Sequence, residues 1–371
     1  MAGWITRETA LERLGIRPQS LYAYVSRGRV AAMPDPADPR RSLYSADDVA
    51  ALVGRARRGK SRSAVASASI AWGEPVLETA ISTAAHGRLF YRGQDVAALA
   101  EHAELEGAAE LLLGVRPVPA EEPAGIGLAD AFARLAGLMD ARPSVGRTGA
   151  SLSEEAAGLV AAMARALGAL SGYPIHLGFA LAWSRPNAAD AIRRALVLMA
   201  DHELNASTFA ARVAASTGAS LPACVLAGLA TLTGPHHGAA ATAALAFARE
   251  ALGCDATALV RRRLAEGAPI PGFGHPLYVG MDPRAAALLG ALRPLERLEE
   301  LRRVVLGETG QDANIDFATT ALAITHDLPE DAPIRLFAAA RTTGWLAHSV
   351  EHALGGALIR PRARYVGPAG V

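Results

Sequence analysis

Five short polar clusters interrupt an otherwise apolar chain, and each holds side chains that could do chemistry: DHELNAST from Asp201, GPHHG from Gly234, GFGHPLY from Gly272, NIDF from Asn314 and RTTGW from Arg341. His237 and His275 stand beside Gly or Pro, where backbone and ligand can approach closely because glycine lacks a side chain. Asp316 lies between Ile315 and Phe317. Apolar neighbours disfavour its charged form and raise its basicity toward what proton abstraction needs. Arg341, in the apolar run LFAAARTTGW, wants an anionic partner, and its two-pronged donors suit a small dicarboxylate. Plainer roles stand beside these. A lone histidine is more often a core or surface residue, Asp316 and His202 could each cap a helix, and Arg284 could be the ion-pair residue of a DPRA turn.

No metal site is readable. His236 and His237 are adjacent rather than four apart, and neither HExxH nor CxxC occurs. GxSxG, the P-loop and the GxGxxG dinucleotide pattern are missing as well. What remains is acid–base and oxyanion chemistry without a metal or bound cofactor.

The elements that must position these residues are mostly helices. Of the 371 residues, 51% are hydrophobic but only 5% aromatic, so the apolar content is largely Ala, Leu and Val, of which Ala and Leu favour helices. From about residue 70 onward, Ala/Leu-rich helical segments alternate with Gly and Pro. HGRLFYRGQD from His86 reads as a turn-like piece before helices on VAALAEHAEL and GAAELLLG. Ser220 is placed to N-cap a helix with Pro222 in its first turn and its end at Leu232, leaving His237 in the loop beyond. No apolar run reaches the roughly 18 residues that span a bilayer. MAGWITRETALERLG lacks the apolar stretch of a signal peptide, and Cys224 and Cys254 are too few for a disulfide framework. A cytoplasmic protein is expected.

Residues 1–63 differ from the rest, with 12 Lys and Arg against 6 Asp and Glu, where the remainder holds 25 against 30. They read as a helix N-capped by Thr6, a turn at Gly15, a second helix ending near Gly28, a wing strand at Leu43–Tyr44, and a helix capped by Ser45. That pattern resembles the DNA-binding domain of MerR-type regulators. The resemblance implies a recognition helix in the major groove and phosphate contacts from Arg27, Arg29, Arg40 and Arg41. The alternative is a unit that only packs, dimerises or regulates. RARRGKSRSA, residues 55–64, reads as a linker.

The polar clusters, in their order, resemble citrate synthase, together with LFYRGQDVAALAEHAELEGAAELLLG, GMDPRA and IRPRARYVGP, over about residues 70–371. The resemblance implies a mainly α, two-domain helical fold behind the small winged helix-turn-helix domain. Residues 64–235 and 325–371 would form the large domain and 236–324 the small one. It also implies that Asp316 takes a proton from the methyl of acetyl-CoA and that neutral His237 stabilises the enolate. His275 polarises the oxaloacetate carbonyl and protonates the new alkoxide, and the citryl thioester is then hydrolysed. His202, Arg284 and Arg341 grip the carboxylates of oxaloacetate. Arg360 would be lent across a homodimer, with Arg362 and Arg364 as surface or interface charges. Domain closure excludes water, the CoA thioester is a substrate, and no cofactor is needed.

Three departures mark the CoA side. HGAAA places Ala239 and Ala241 where the family has Gly and Asn. Pro276-Leu277-Tyr278-Val279 replaces Arg-Val-Tyr-Lys, removing two cations, and the span from His275 to Asp316 is short. Propionyl-CoA as donor, giving 2-methylcitrate, therefore stays open. So do a non-catalytic regulator sensing oxaloacetate or citrate, and a citryl-CoA cleaving enzyme.

Overall fold

The computed structural model describes residues 3–14, 21, 24–25, 30–35, 38–50, 77–118, 124–363, 365 and 367. The chain divides into two units, Met1–Glu78 and Thr79–Val371. In the first, β1 (Trp4–Ile5), β2 (Ala32–Asp35) and β3 (Asp38–Ser45) form an antiparallel sheet in the order β1-β3-β2 beside α1 (Arg7–Leu14). Thr6 Oγ1 accepts the N–H of Thr9 at 3.3 Å ahead of α1, and Ser45 Oγ accepts that of Asp48 at 3.2 Å, so both expected caps are present. Ala10, Leu21, Val30, Tyr44 and Val49 form this unit's core. Arg41 is exposed and ion-paired with Asp38 at 3.5 Å. Most of the expected second helix, the linker 55–64 and the side chains of Arg27, Arg29, Arg40 and Arg364 lie outside the described residues.

The second unit opens with β4 (Ser82–Ala85), β5 (Arg88–Tyr91) and β6 (Gln94–Asp95), an antiparallel meander in that order. The piece expected to be turn-like is thus a hairpin. Its two-residue turns, His86-Gly87 and Arg92-Gly93, have positive φ at both positions, which matches the twist of the flanking strands. The helices are α2 (Val96–His102), α3 (Leu105–Leu113), α4 (Leu128–Ala136), α5 (Gly149–Ala166), α6 (Ile175–Ala182), α7 (Ala189–Met199), α8 (Ala206–Ser216) and α9 (Leu221–Leu232). There follow α10 (Ala240–Leu252), α11 (Ala256–Ala265), α12 (Pro283–Ala291), α13 (Glu296–Thr309), α14 (Ile315–Thr325) and α15 (Ala332–Gly355). VAALAEHAEL breaks at Ala103, where α2 ends. Ser220 does occupy the N-cap of α9, but its side chain makes no capping bond.

Helix α15 is buried along most of its 24 residues, and α5, α7, α8 and α9 pack around it. Its run of Ala and Gly allows that close approach. Opposite it on α9, a side chain at Gly228 would collide with the fully buried Trp345 ring. Helix α10 packs on α13 and α14, α11 on α13, and α12 on α14. No helix among the described residues is long and apolar enough to cross a membrane.

Candidate active site

Arg341 projects from the middle of α15, whereas His202, His237, His275, Arg284 and Asp316 sit in loops or at helix starts, where local capping explains several of their positions. His202 lies between α7 and α8, where Asn205, not His202, caps α8 by accepting the N–H groups of Ser207 and Thr208 at 3.1 Å. Asp316 is the second residue of α14, and Asn314 is its cap, accepting from the Asp316 N–H at 3.0 Å. Neither His202 nor Asp316 is therefore needed as a cap. The His275 loop is tied to the start of α14 by the Asn314 N–H donating to the Gly272 carbonyl (3.0 Å), Gly274 N–H to Asp312 O (2.8 Å) and Asn314 Nδ2 to Gly274 O (3.0 Å). His275 and Asp316 are thus carried on one braced substructure. Its far end is held by buried Asp282, whose carboxylate accepts from the N–H groups of Arg284 and Ile315.

The edge of His202 meets His275 with ring centres 5.2 Å apart, and Tyr278 completes the cluster with its hydroxyl 2.8 Å from His202 Nε2. The Leu277 N–H donates to His275 Nδ1 at 3.1 Å, so the neutral ring carries its proton on Nε2. His237 Nε2 lies 2.7 Å from Ser207 Oγ, which also receives the indole N–H of Trp345 at 3.0 Å. The single hydroxyl proton of Ser207 has two acceptors, His237 Nε2 and Asn205 Oδ1 at 2.8 Å. When it goes to His237, the other ring nitrogen, Nδ1, becomes the donor.

Two buried guanidiniums set the field. Arg284 donates to both oxygens of Asp282, at 3.0 and 2.7 Å, so the ion pair expected for the DPRA turn exists and uses its Nε and Nη2. Arg341 lies 4.8 Å above the Phe337 ring, and its Nε donates to the Met199 carbonyl at 2.9 Å. Its Nη2 is buried without a hydrogen-bond partner. Such an orphan donor costs stability unless an anion meets it.

Burial, with Arg341 nearby, lowers the His237 pKa to about 4. Burial and Arg284 do the same for His275. His202 is pushed well down by burial and both arginines. Asp316 moves the other way, up to about 6, because burial outweighs the pull of Arg284 and Arg341. Burial also lowers Arg341 to about 10. At neutral pH the site thus presents neutral imidazoles beside an unusually basic carboxylate. That division is what enolisation next to a carbonyl requires.

The structure therefore brings His202, His237, His275, Asp316, Arg284 and Arg341 into one electrostatic neighbourhood. Arg360 is exposed in the tail beyond α15, as is Arg362. Sequence reasoning missed Ser207, Tyr278, Asp282, Asn314 and Trp345. Asn314 and Asp282 had a signal, an Asx residue two before another polar group and one before Pro at a helix start; the others had none. Pro276, Leu277 and Val279 form an exposed apolar rim, while Ala241 is buried in the first turn of α10. No cluster able to hold a metal ion occurs among the described residues.

The family model "Citrate synthase, C-terminal domain" matches residues 174–362, and the chain belongs to the citrate synthase family. It is 34% identical over 194 residues to citrate synthase 2 of Bacillus subtilis, covering 49% of this chain and 52% of that one. To the citrate/2-methylcitrate synthase of the same organism it is 36% identical over 187 residues, covering 47% and 50%. The chain spans about half the length of these curated relatives. Among solved structures, citrate synthase from Thermoplasma acidophilum, in ternary complex with carboxymethyl coenzyme A and oxaloacetate, superposes with a TM-score of 0.67 at 27% identity. That match covers 80% of this chain and 95% of that one.

Proposed function

We propose that the Thr79–Val371 unit condenses acetyl-CoA with oxaloacetate and hydrolyses the thioester to citrate and CoA, with no metal or cofactor. The observation that carries this is the pairing of neutral histidines with a raised-pKa carboxyl around a buried guanidinium that has an unused donor. Oxaloacetate docks between His202, Arg284 and Arg341, with Arg360 supplied by the second copy of a homodimer. Asp316 removes the methyl proton of acetyl-CoA, and His237 Nδ1–H meets the growing charge on the thioester oxygen. The His275 Nε2–H polarises the ketone and passes its proton to the alkoxide that forms. Closure of residues 236–324 over the large domain holds water out until condensation is complete. The ternary complex of the Thermoplasma enzyme supports the choice of substrates.

The similarity to a citrate/2-methylcitrate synthase and the apolar rim at Leu277 and Val279 favour a second reading, in which propionyl-CoA is the donor. The Met1–Glu78 unit reads as a MerR-like winged helix-turn-helix that contacts duplex DNA, supported by its capped α1 and the β2–β3 hairpin carrying exposed Arg41. The protein acts in the cytoplasm. Free-thiol release from acetyl-CoA or propionyl-CoA in the presence of oxaloacetate tests the proposal. Release that needs oxaloacetate and vanishes in Asp316→Ala supports it, whereas no release from either donor refutes it.

A further inference from the structure

Behind the oxaloacetate pocket proposed above lies a chain of buried polar groups with no place in the steps described there. Arg212 on α8 donates through Nε to His352 Nδ1 at 3.1 Å, and its Nη1 stands 3.3 Å from His348 Nδ1. A guanidinium has only donors, so both Nδ1 atoms accept and each neutral ring must carry its proton on Nε2. His348 Nε2 then faces Asp201 Oδ2 at 3.1 Å, and His352 Nε2 faces the Ala357 carbonyl at 2.8 Å. Arg212 is itself anchored by Glu351 at 3.1 Å, whose other oxygen accepts the Ala80 N–H at 2.7 Å.

We infer that Arg212 is a positioning residue for oxaloacetate binding: by fixing the tautomers of His348 and His352 it aims one N–H at the segment carrying His202 and the other at the tail carrying Arg360. This rests on the condensation reading of the site. Residues 199–201 are pinned to one face of α15 by three successive turns. Arg341 Nε holds the Met199 carbonyl, Gly344 N–H donates to the Ala200 carbonyl at 3.0 Å, and His348 holds Asp201. Asp201 also receives the Ser82 hydroxyl and is a counter-charge of Arg341. Without the His348 donor, this buried carboxylate loses one of its two hydrogen bonds next to His202 and Arg341. None of these bonds goes to His237 or Asp316, the residues that face the thioester in that reading.

The test is calorimetric titration of the full chain with oxaloacetate, alongside rates against acetyl-CoA. His348→Leu and Arg212→Met should each weaken oxaloacetate binding roughly tenfold or more, the weight of a hydrogen bond to a charged group, and leave the KM for acetyl-CoA within about twofold. His348→Gln, whose amide N–H can replace Nε2–H, should restore most of the affinity. Nitrogen NMR should show Nε2-protonated rings in the parent and mixed tautomers in Arg212→Met. Unchanged oxaloacetate affinity in folded His348→Leu and Arg212→Met overturns the inference. So does a parallel loss of both substrates together with thermal stability, which marks a merely structural role. A parent protein that binds no oxaloacetate at all overturns the site reading itself.

Discussion

Replacing Asp316 with Asn should inactivate the protein and make it more stable, and the two effects share one cause. The Asp316 carboxyl rises from its ordinary 3.8 to about 6. A raised acid pKa means the folded state holds the proton after the unfolded chain has released it. This group's contribution to stability is therefore most favourable below pH 4, declines between pH 4 and 6, and is fully lost above pH 6. The step from 3.8 to about 6 corresponds to at most ~3 kcal/mol at neutral pH. Because the side chain is only half-buried, solvent screening brings the expected value nearer ~1–2 kcal/mol. Asparagine keeps the shape without ionising and so avoids that loss. Scanning calorimetry at pH 8 should place the melting temperature of Asp316→Asn roughly 2–6 °C above the parent, on the scale of a few degrees per kcal/mol. The gap should close toward pH 4.5. Thiol release at pH 8 should fall by about 10²–10⁴ with the general base gone. A variant that keeps its rate within tenfold, or melts at or below the parent at pH 8, refutes the assignment.

Other consequences follow from the same geometry. With His237 and His275 at about 4 and Asp316 at about 6, the pH profile of kcat/KM for acetyl-CoA should lose about tenfold per pH unit below 6 as Asp316 is protonated. No imidazole limb should show between pH 6.5 and 8. Arg341→Met removes the guanidinium with the unpartnered Nη2; steady-state kinetics should show the KM for oxaloacetate raised about 10²-fold or more, and that for acetyl-CoA little changed. A Cβ at Gly344 would overlap Asp201 Oδ1, so Gly344→Ala should lose about 1–3 kcal/mol in denaturant unfolding and weaken oxaloacetate binding. Prolonged chelation should leave the rate of thiol release unchanged.

Much of the helical architecture was legible because Ala and Leu fill the segments while Pro and Gly end them, as Pro222 and Gly234 do around α9. The β4–β6 meander was not, since four-residue strands leave too few alternating positions to separate a strand from a turn. Polar residues were recognisable as odd in so apolar a chain, His237 and His275 beside Gly or Pro and Asp316 between Ile315 and Phe317, which is why these three could be singled out. Their supports were hidden. The Ser207–His237, Tyr278–His202 and Asp201–His348 pairs link residues 30, 76 and 147 positions apart. Only packing onto α15 and the bracing of the His275 loop by α14 bring them within hydrogen-bond distance. The state of Arg284 was a matter of geometry too. The sequence admitted an ion pair or a substrate ligand, and the structure shows the pair with Asp282 through Nε and Nη2.

The central claim is that residues scattered from 202 to 341 converge on one dicarboxylate. A crystal structure of this protein with oxaloacetate bound measures that directly. The account predicts one carboxylate within hydrogen-bond distance of Arg341 Nη2, contacts from His202 and Arg284, and the ketone oxygen on His275 Nε2. Oxaloacetate bound elsewhere, or in this cleft with Arg341 Nη2 still unpartnered, would contradict it.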